Sequence, residues 1–184
     1  MNKLAVFIPG IGYTNDRPLL YYSAYVLRRR GYDIKKIDFS GFPGGVFNDE
    51  KKLLQCFEIA LNQTSKALWD TDFDGLDDLI FVSKSIGTGV AAFYTSKEKI
   101  PARHVFLTPL EKTLSFARNG CGIAFTGTAD PWADSEAIKT GCEKKRIPLT
   151  MIENANHSLE TGDINFDLDT LRLVLGRIEE FAGL

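Results

Sequence analysis

Two histidines, three cysteines and no excess charge of either sign set the first limits on this 184-residue chain. Cys56, Cys121 and Cys142 are an odd set without C-x-x-C spacing, so neither a zinc site nor a disulfide framework is expected. Each flanks or lies inside an apolar stretch and reads as a small buried hydrophobe. The 22 basic side chains nearly balance the 24 acidic ones, which excludes a polybasic nucleic-acid surface as the default. No run approaches the roughly 20 apolar residues of a membrane helix. The first apolar run, residues 4–8, is short for a signal peptide and is stopped by Pro9 and Gly10. A cytoplasmic protein with neither membrane nor nucleic acid as partner is expected. What is present is 44% hydrophobic residues and 25% charged ones, the mixture of a globular chain. A chain of this length buries roughly two-thirds of its unfolded surface without staples. One domain over residues 1–184 is expected, with no repeat, low-complexity tract or linker.

Short apolar runs alternate with longer segments of helical period, which predicts parallel strands joined by crossover helices. Residues 4–8 give the first strand. Pro18 opens a helix to about residue 30, with Leu19, Leu20, Tyr22, Val26 and Leu27 at helical spacing and Gly31 ending it. Residues 34–39 read as the second strand. The segment 40–48 is rich in Gly, Pro and Phe, which is turn chemistry, and a helix follows to about residue 69. Residues 79–82 predict a central strand leading straight into a Gly-rich helix start at Ser85. Strands over 104–107 and 122–125 follow, separated by a stretch that holds a short helical piece and is too small for a lid domain. A helix over 134–144, a strand over 148–152 and an amphipathic helix over 168–181, with Asp167 or Asp169 near its start, complete the chain. The expected fold class is α/β: a doubly wound, mostly parallel sheet of about six strands in a three-layer sandwich. Such sheets bind ligands beyond the carboxyl ends of their strands, so the chemistry belongs there.

Ser83-Lys84-Ser85-Ile86-Gly87 follows the central strand, and Ser85 has a small residue two positions to either side, as in the pattern G-x-S-x-G. The demand is steric: a strand that turns at once into a helix holds its nucleophile in a strained backbone, and only small neighbours let the chain pass. Ser83 stands in place of the first glycine. Asp130 follows the fifth strand in a turn fixed by Pro131, and His157 lies in the polar loop 154–159 directly after the last strand. His104, amid Val105, Phe106 and Leu107, reads as structural. Ser85, Asp130 and His157 thus occur in the order serine, acid, histidine, each just beyond a predicted strand. Asp134 reads as a helix N-terminal residue, and Glu153 and Glu160, beside His157 in sequence, are expected to face solvent.

On these residues the sequence resembles the α/β-hydrolases, in particular small serine hydrolases that lack a lid domain. The resemblance covers most of the chain. Pro9-Gly10-Ile11-Gly12 lies where that family has its His-Gly oxyanion loop, with Pro9 in place of the histidine, and Asp38-Phe39-Ser40-Gly41 resembles the Asp-x-x-Gly turn after the next strand. The resemblance implies a Ser85 nucleophile, a His157 base oriented by Asp130, and an oxyanion held by the backbone amides of Ile11 and Ile86. It implies cleavage of a small ester or related acyl bond, with no metal or organic cofactor. Tyr13 and Trp132, with Phe42 and Pro109, follow predicted strands and are candidates to line the substrate pocket. Lys84 is expected to be solvated, with contact to a substrate carboxylate or phosphate as its functional alternative.

Two other readings bear on the same residues. Gly10-Ile11-Gly12 could open a dinucleotide fingerprint, but the third glycine is missing, Asn15 and Pro18 crowd the helix start, and Asp38 lies far for a ribose-binding acid. A catalytically silent α/β-hydrolase fold serving as a ligand-binding or interaction module is the alternative from another class.

Overall fold

The computed structural model describes residues 1–47 and 49–183; Asn48, at the end of the 40–48 loop, and Leu184 lie outside the described residues. The elements run β1 (Lys3–Ile8), α1 (Pro18–Arg29), β2 (Tyr32–Lys36), α2 (Glu50–Leu68), β3 (Asp78–Lys84), α3 (Ile86–Lys97), β4 (Arg103–Leu107), α4 (Glu111–Phe116), β5 (Gly122–Gly127), α5 (Ser135–Lys145), β6 (Leu149–Ile152) and α6 (Ile164–Ala182). The six strands form one sheet in the order β2-β1-β3-β4-β5-β6, and every neighbouring pair is parallel.

Successive side chains of a strand face opposite ways, and here both faces are apolar. Ala5 and Phe7, Ile80 and Val82, Val105 and Leu107, and Phe125 point to one side, where Leu20, Leu27, Val174 and Ile178 of α1 and α6 cover them. Val6, Ile8, Leu79 and Phe81 point to the other side, under Ala60 and Leu68 of α2 and Val90, Ala91 and Tyr94 of α3. Phe106 and Ala124 meet Leu114 of α4 and Ile138 and Cys142 of α5. The result is three layers. All three cysteines are buried and free.

Helix starts follow cap chemistry. Asp49 accepts from the Lys52 amide at 3.1 Å, Asp134 from Glu136 at 2.9 Å, and Asp163 from Asn165 at 2.9 Å. α6 therefore begins a full turn before the start read from its apolar pattern. Ile164, Phe166 and Leu168 in that turn are exposed, so no buried stripe marks it in the sequence. Asp167 is not the cap; it accepts from the Thr161 amide at 2.6 Å and ties down the loop before the helix. β2 lies two residues earlier than expected, because Gly31 at φ 85° reverses the chain sharply and pairing begins at Lys3 with Tyr32. Phe39 has left the sheet and packs edge-on against Phe42 at 5.7 Å. β3 runs on through Ser83 and Lys84, both fully buried, up to the turn at Ser85.

β1 pairs with β2 on one side and β3 on the other, so the chain leaves β1 in one direction and later returns to its opposite edge. That is the switch point of a doubly wound sheet, where loops after neighbouring strands diverge and leave a crevice. The segment after β1 and the turn after β3 face each other there.

Candidate active site

Ser85 occupies the turn between β3 and α3 with φ 56° and ψ −127°, left-handed backbone that only glycine adopts without strain. Its amide donates to the Leu107 carbonyl of β4 at 3.0 Å, which fixes the turn to the sheet. Crowding explains the small neighbours. A Cβ on Gly87 would stand 2.7 Å from the Ile8 carbonyl oxygen and closer still to that of Pro9, and one on Gly10 would stand 3.0 Å from the Ser85 Cβ. α3 thus begins in direct contact with the end of β1.

His157 reaches this turn from the loop after β6. Its Nε2 lies 2.7 Å from Ser85 Oγ, and its Nδ1 lies 2.7 Å from Asp130 Oδ2. A carboxylate only accepts, so Asp130 places the imidazole proton on Nδ1 and leaves the Nε2 lone pair facing the Ser85 hydroxyl. Asp130 is held in turn: its Oδ1 accepts from the Trp132 amide at 2.8 Å, and its side chain has no exposed surface. The His157 side chain is 18% exposed. Burial moves its pKa below the ordinary 6.5; the bond to Asp130 opposes that shift and the charge of Lys84 reinforces it. Ser85, Asp130 and His157 are therefore one hydrogen-bonded chain assembled from loops after β3, β5 and β6.

Ile86 opens α3, so its amide has no partner within the helix, and no described backbone or side-chain acceptor takes the Ile11 amide. Ile86 also lines an apolar groove of about 460 Å³ with Leu53, Phe57, Leu110, Phe116 and Trp132. Trp132 is 36% exposed at its edge. The α2 and α4 walls of this groove lay outside the sequence reading, which searched only behind the strands. A signal existed in the surplus apolar face Leu53, Leu54 and Phe57 of α2.

The structure corrects three expectations. Lys84 is neither solvated nor in reach of substrate: it is 0% exposed, and Nζ donates to Thr108 Oγ1 and, at 2.6 Å, to the His157 carbonyl oxygen. Burial brings its pKa down to about 7, against the pull of Asp130 and Glu160. Tyr13 does not face the groove; its ring lies 4.9 Å from Lys84 Nζ and its hydroxyl accepts from the Leu19 amide. Phe42 packs into the core between α2 and the sheet. His104 is buried against Phe106 with Nε2 at 3.2 Å from Thr95 Oγ1. Asp134 caps α5, and Glu153 and Glu160 are exposed. Asn15 donates to the Ile37 carbonyl and to Asp38, joining the segments after β1 and β2. No helix among the described residues is long and apolar enough to cross a membrane.

No protein-family model matches the chain, and no curated protein matches it. Solved structures do. Est1E from Butyrivibrio proteoclasticus superposes with a TM-score of 0.69 at 13% identity, over 98% of this chain and 86% of that one. The esterase Pf2001 of Pyrococcus furiosus gives 0.64 at 15% identity, over 98% and 84%. An α/β serine hydrolase homologue from Coxiella burnetii gives 0.62 at 15% identity, over 96% and 86%. With its all-parallel sheet and the turn after β3 in place, this chain has the α/β-hydrolase fold.

Proposed function

We propose that this chain is a serine hydrolase that cleaves a small ester or related acyl bond through an acyl-enzyme intermediate. The observation that carries the reading is the continuous relay from Asp130 through His157 to Ser85, with both links at 2.7 Å and the serine on a strained turn. Ser85 Oγ attacks the acyl carbon while its proton passes to His157 Nε2. Asp130 stabilises the imidazolium so formed. The amides of Ile86 and Ile11 hold the oxyanion, each donor being worth roughly 3 kcal/mol. Collapse expels the alcohol, which takes the proton from His157. Water then repeats the sequence on the acyl-enzyme and frees the acid, so every proton and bond is accounted for with these side chains alone.

The groove beside Ile86 favours an apolar, flat or branched acyl group. Phe57, Phe116 and Trp132 supply aromatic faces there, and Glu50, Glu111 and Lys112 are its charged lining residues. Est1E has been solved with ferulic acid bound, an aryl acid of a kind the groove would accommodate.

The test is a fluorophosphonate probe together with a short-chain aryl ester, applied to wild type, Ser85→Ala and His157→Ala and read by intact mass and turnover. Single labelling of wild type at Ser85, lost in both variants along with turnover, is the expected result. An unlabelled wild type, or a Ser85→Ala protein that turns over equally well, would leave the silent binding module as the better reading.

A further inference from the structure

Lys84 is an anomaly of the fold. It is the residue before the nucleophile, its side chain is fully buried, and no carboxylate of the described residues lies within ion-pair distance of it. A lone ammonium in such a place is costly and calls for specific compensation. The compensation is visible. Three acceptors surround Nζ: Thr108 Oγ1 on the segment after β4, the His157 carbonyl at 2.6 Å on the loop after β6, and the face of Tyr13 at 4.9 Å on the segment after β1. An ammonium has three N–H bonds, one for each of these acceptors, which offsets part of the cost of burying it. Thr108 is itself held at φ 44°, left-handed backbone in a β-branched residue, which aims its hydroxyl at Nζ at the expense of strain.

Given the serine-hydrolase reading above, we propose that Lys84 is a positioning residue for the base: rooted beside Ser85, it clamps the backbone of His157 and so sets the imidazole against the serine hydroxyl. The strand residue preceding the nucleophile and the base's own carbonyl are thereby joined through one side chain, independently of the Asp130 contact at the far end of the ring. The loop 153–159 is anchored to the segment after β5 by the Ala129 amide, which donates to the Ala155 carbonyl at 3.0 Å, and by the Asn154 amide, which donates to Thr128 Oγ1 at 2.7 Å. Lys84 ties its His157 end to β3, and the reach from Nε2 to Oγ depends on where that end sits.

A charge at this position has a second consequence. It stands behind the imidazole and opposes its protonation, so the base stays free to accept a proton at lower pH. The charged and titratable groups facing the pair are Asp130 from the segment after β5, Glu160 beyond the His157 loop, and Tyr13, with Arg17 behind it, from the segment after β1. Burial pushes Tyr13 up to about 12, so it stays neutral throughout the range in question. His157 titrates below 6.5, where Lys84 still carries its proton.

The test follows the His157 ring by proton NMR and the acid limb of kcat/KM in wild type, Lys84→Met and Lys84→Gln. The chain has only two histidines, and burial holds His104 at about 3, so one ring titrates in the accessible range. Removing the cation should raise the His157 midpoint by about 0.5–1 pH unit and move the kinetic limb with it. A looser base should also lower kcat roughly 10- to 100-fold with KM within about 2-fold. Lys84→Gln keeps a donor without the charge, so it should show the shifted midpoint with a smaller loss of kcat, and it supplies the measurement should Lys84→Met fail to fold. A folded Lys84→Met protein with kcat within about 2-fold of wild type would overturn the clamp, and a His157 midpoint and limb that coincide with wild type as well would leave Lys84 a packing residue. The NMR titration needs no turnover, so an inactive wild type would defeat the hydrolase reading while the influence of Lys84 on His157 is still decided.

Discussion

The indole of Trp132 lies against the imidazole of His157, with ring centroids 5.8 Å apart and planes inclined by 33°, and Phe47 meets the same indole edge-on at 4.7 Å. One side chain therefore borders both His157 and the apolar groove. Trp132→Ala should remove that wall while the Asp130 turn persists, since the bond to Asp130 comes from the backbone amide. KM for an aryl ester is expected to rise roughly 5- to 20-fold, the equivalent of about 1–2 kcal/mol of apolar and aromatic contact, with a smaller change in kcat. Steady-state kinetics over a series of acyl groups checks this. An unaltered preference across the series would take Trp132 out of the pocket.

Gly87 tests the geometry of the turn. With the Ile8 carbonyl 2.7 Å from where its Cβ would be, Gly87→Ala forces α3 away from β1. The expected cost is about 1–3 kcal/mol, read as a lower urea midpoint with unchanged slope. Because the Gly10–Ile11 segment leaves the same strand end, labelling at Ser85 should also slow. A midpoint equal to wild type would mean that the crossing yields more easily than its backbone contacts imply.

Asp130→Asn separates orientation from packing. The amide preserves shape and can still accept from Trp132, but it no longer enforces the proton on His157 Nδ1 or stabilises the imidazolium. A fall in kcat/KM of roughly 10⁴ is expected with Tm close to wild type. Under the proposed chemistry the acid limb of wild-type kcat/KM should lie below pH 6.5. As the proposed base His157 would act only when neutral, and burial lowers its pKa, so activity should survive to lower pH than a solvated histidine would allow. A limb above 6.5 would contradict that environment.

Much of this arrangement was legible in the residues because function and fold impose local patterns. Short continuous apolar runs marked the strands, Pro18 and Gly31 bracketed α1, and Ser85, Asp130 and His157 stood just past strands in a usable order. What escaped was whatever lacks a local pattern. Lys84 reads as a surface residue because lysine almost always is one, and its cage comes from three segments far apart in the chain. Thr108 carries no signal beyond its place after β4. The first turn of α6 is set by the Asp163 cap, which a search for buried apolar spacing passes over. The groove was missed because two of its walls are helix faces, whereas a strand-end search finds only loops.

Lys84 should also leave a mark on stability that catalysis cannot mimic. A lysine in water keeps its proton to about pH 10.4, whereas burial brings that of Lys84 off near 7. Between those values the unfolded chain binds more protons than the folded one, so raising the pH favours the folded state. Below about 7 both states carry the charge and the folded state bears its full burial penalty. Urea unfolding of wild type and Lys84→Met should therefore show a difference in stability, wild type minus variant, that climbs from about pH 7 to 10. The cysteines, whose thiols burial pushes up, titrate in the same window but are common to both proteins and drop out of the difference. His157 is lowered from 6.5 in wild type, so the rise in its midpoint expected in Lys84→Met acts at the lower edge of this window, and the climb toward pH 10 belongs to Lys84. The direction holds whichever protein is the more stable at a given pH, since Lys84→Met also strands the Thr108 hydroxyl and the His157 carbonyl without their donor. A difference that stayed flat or fell between pH 7 and 10 would show that the three-acceptor cage, rather than burial, governs the proton on Lys84.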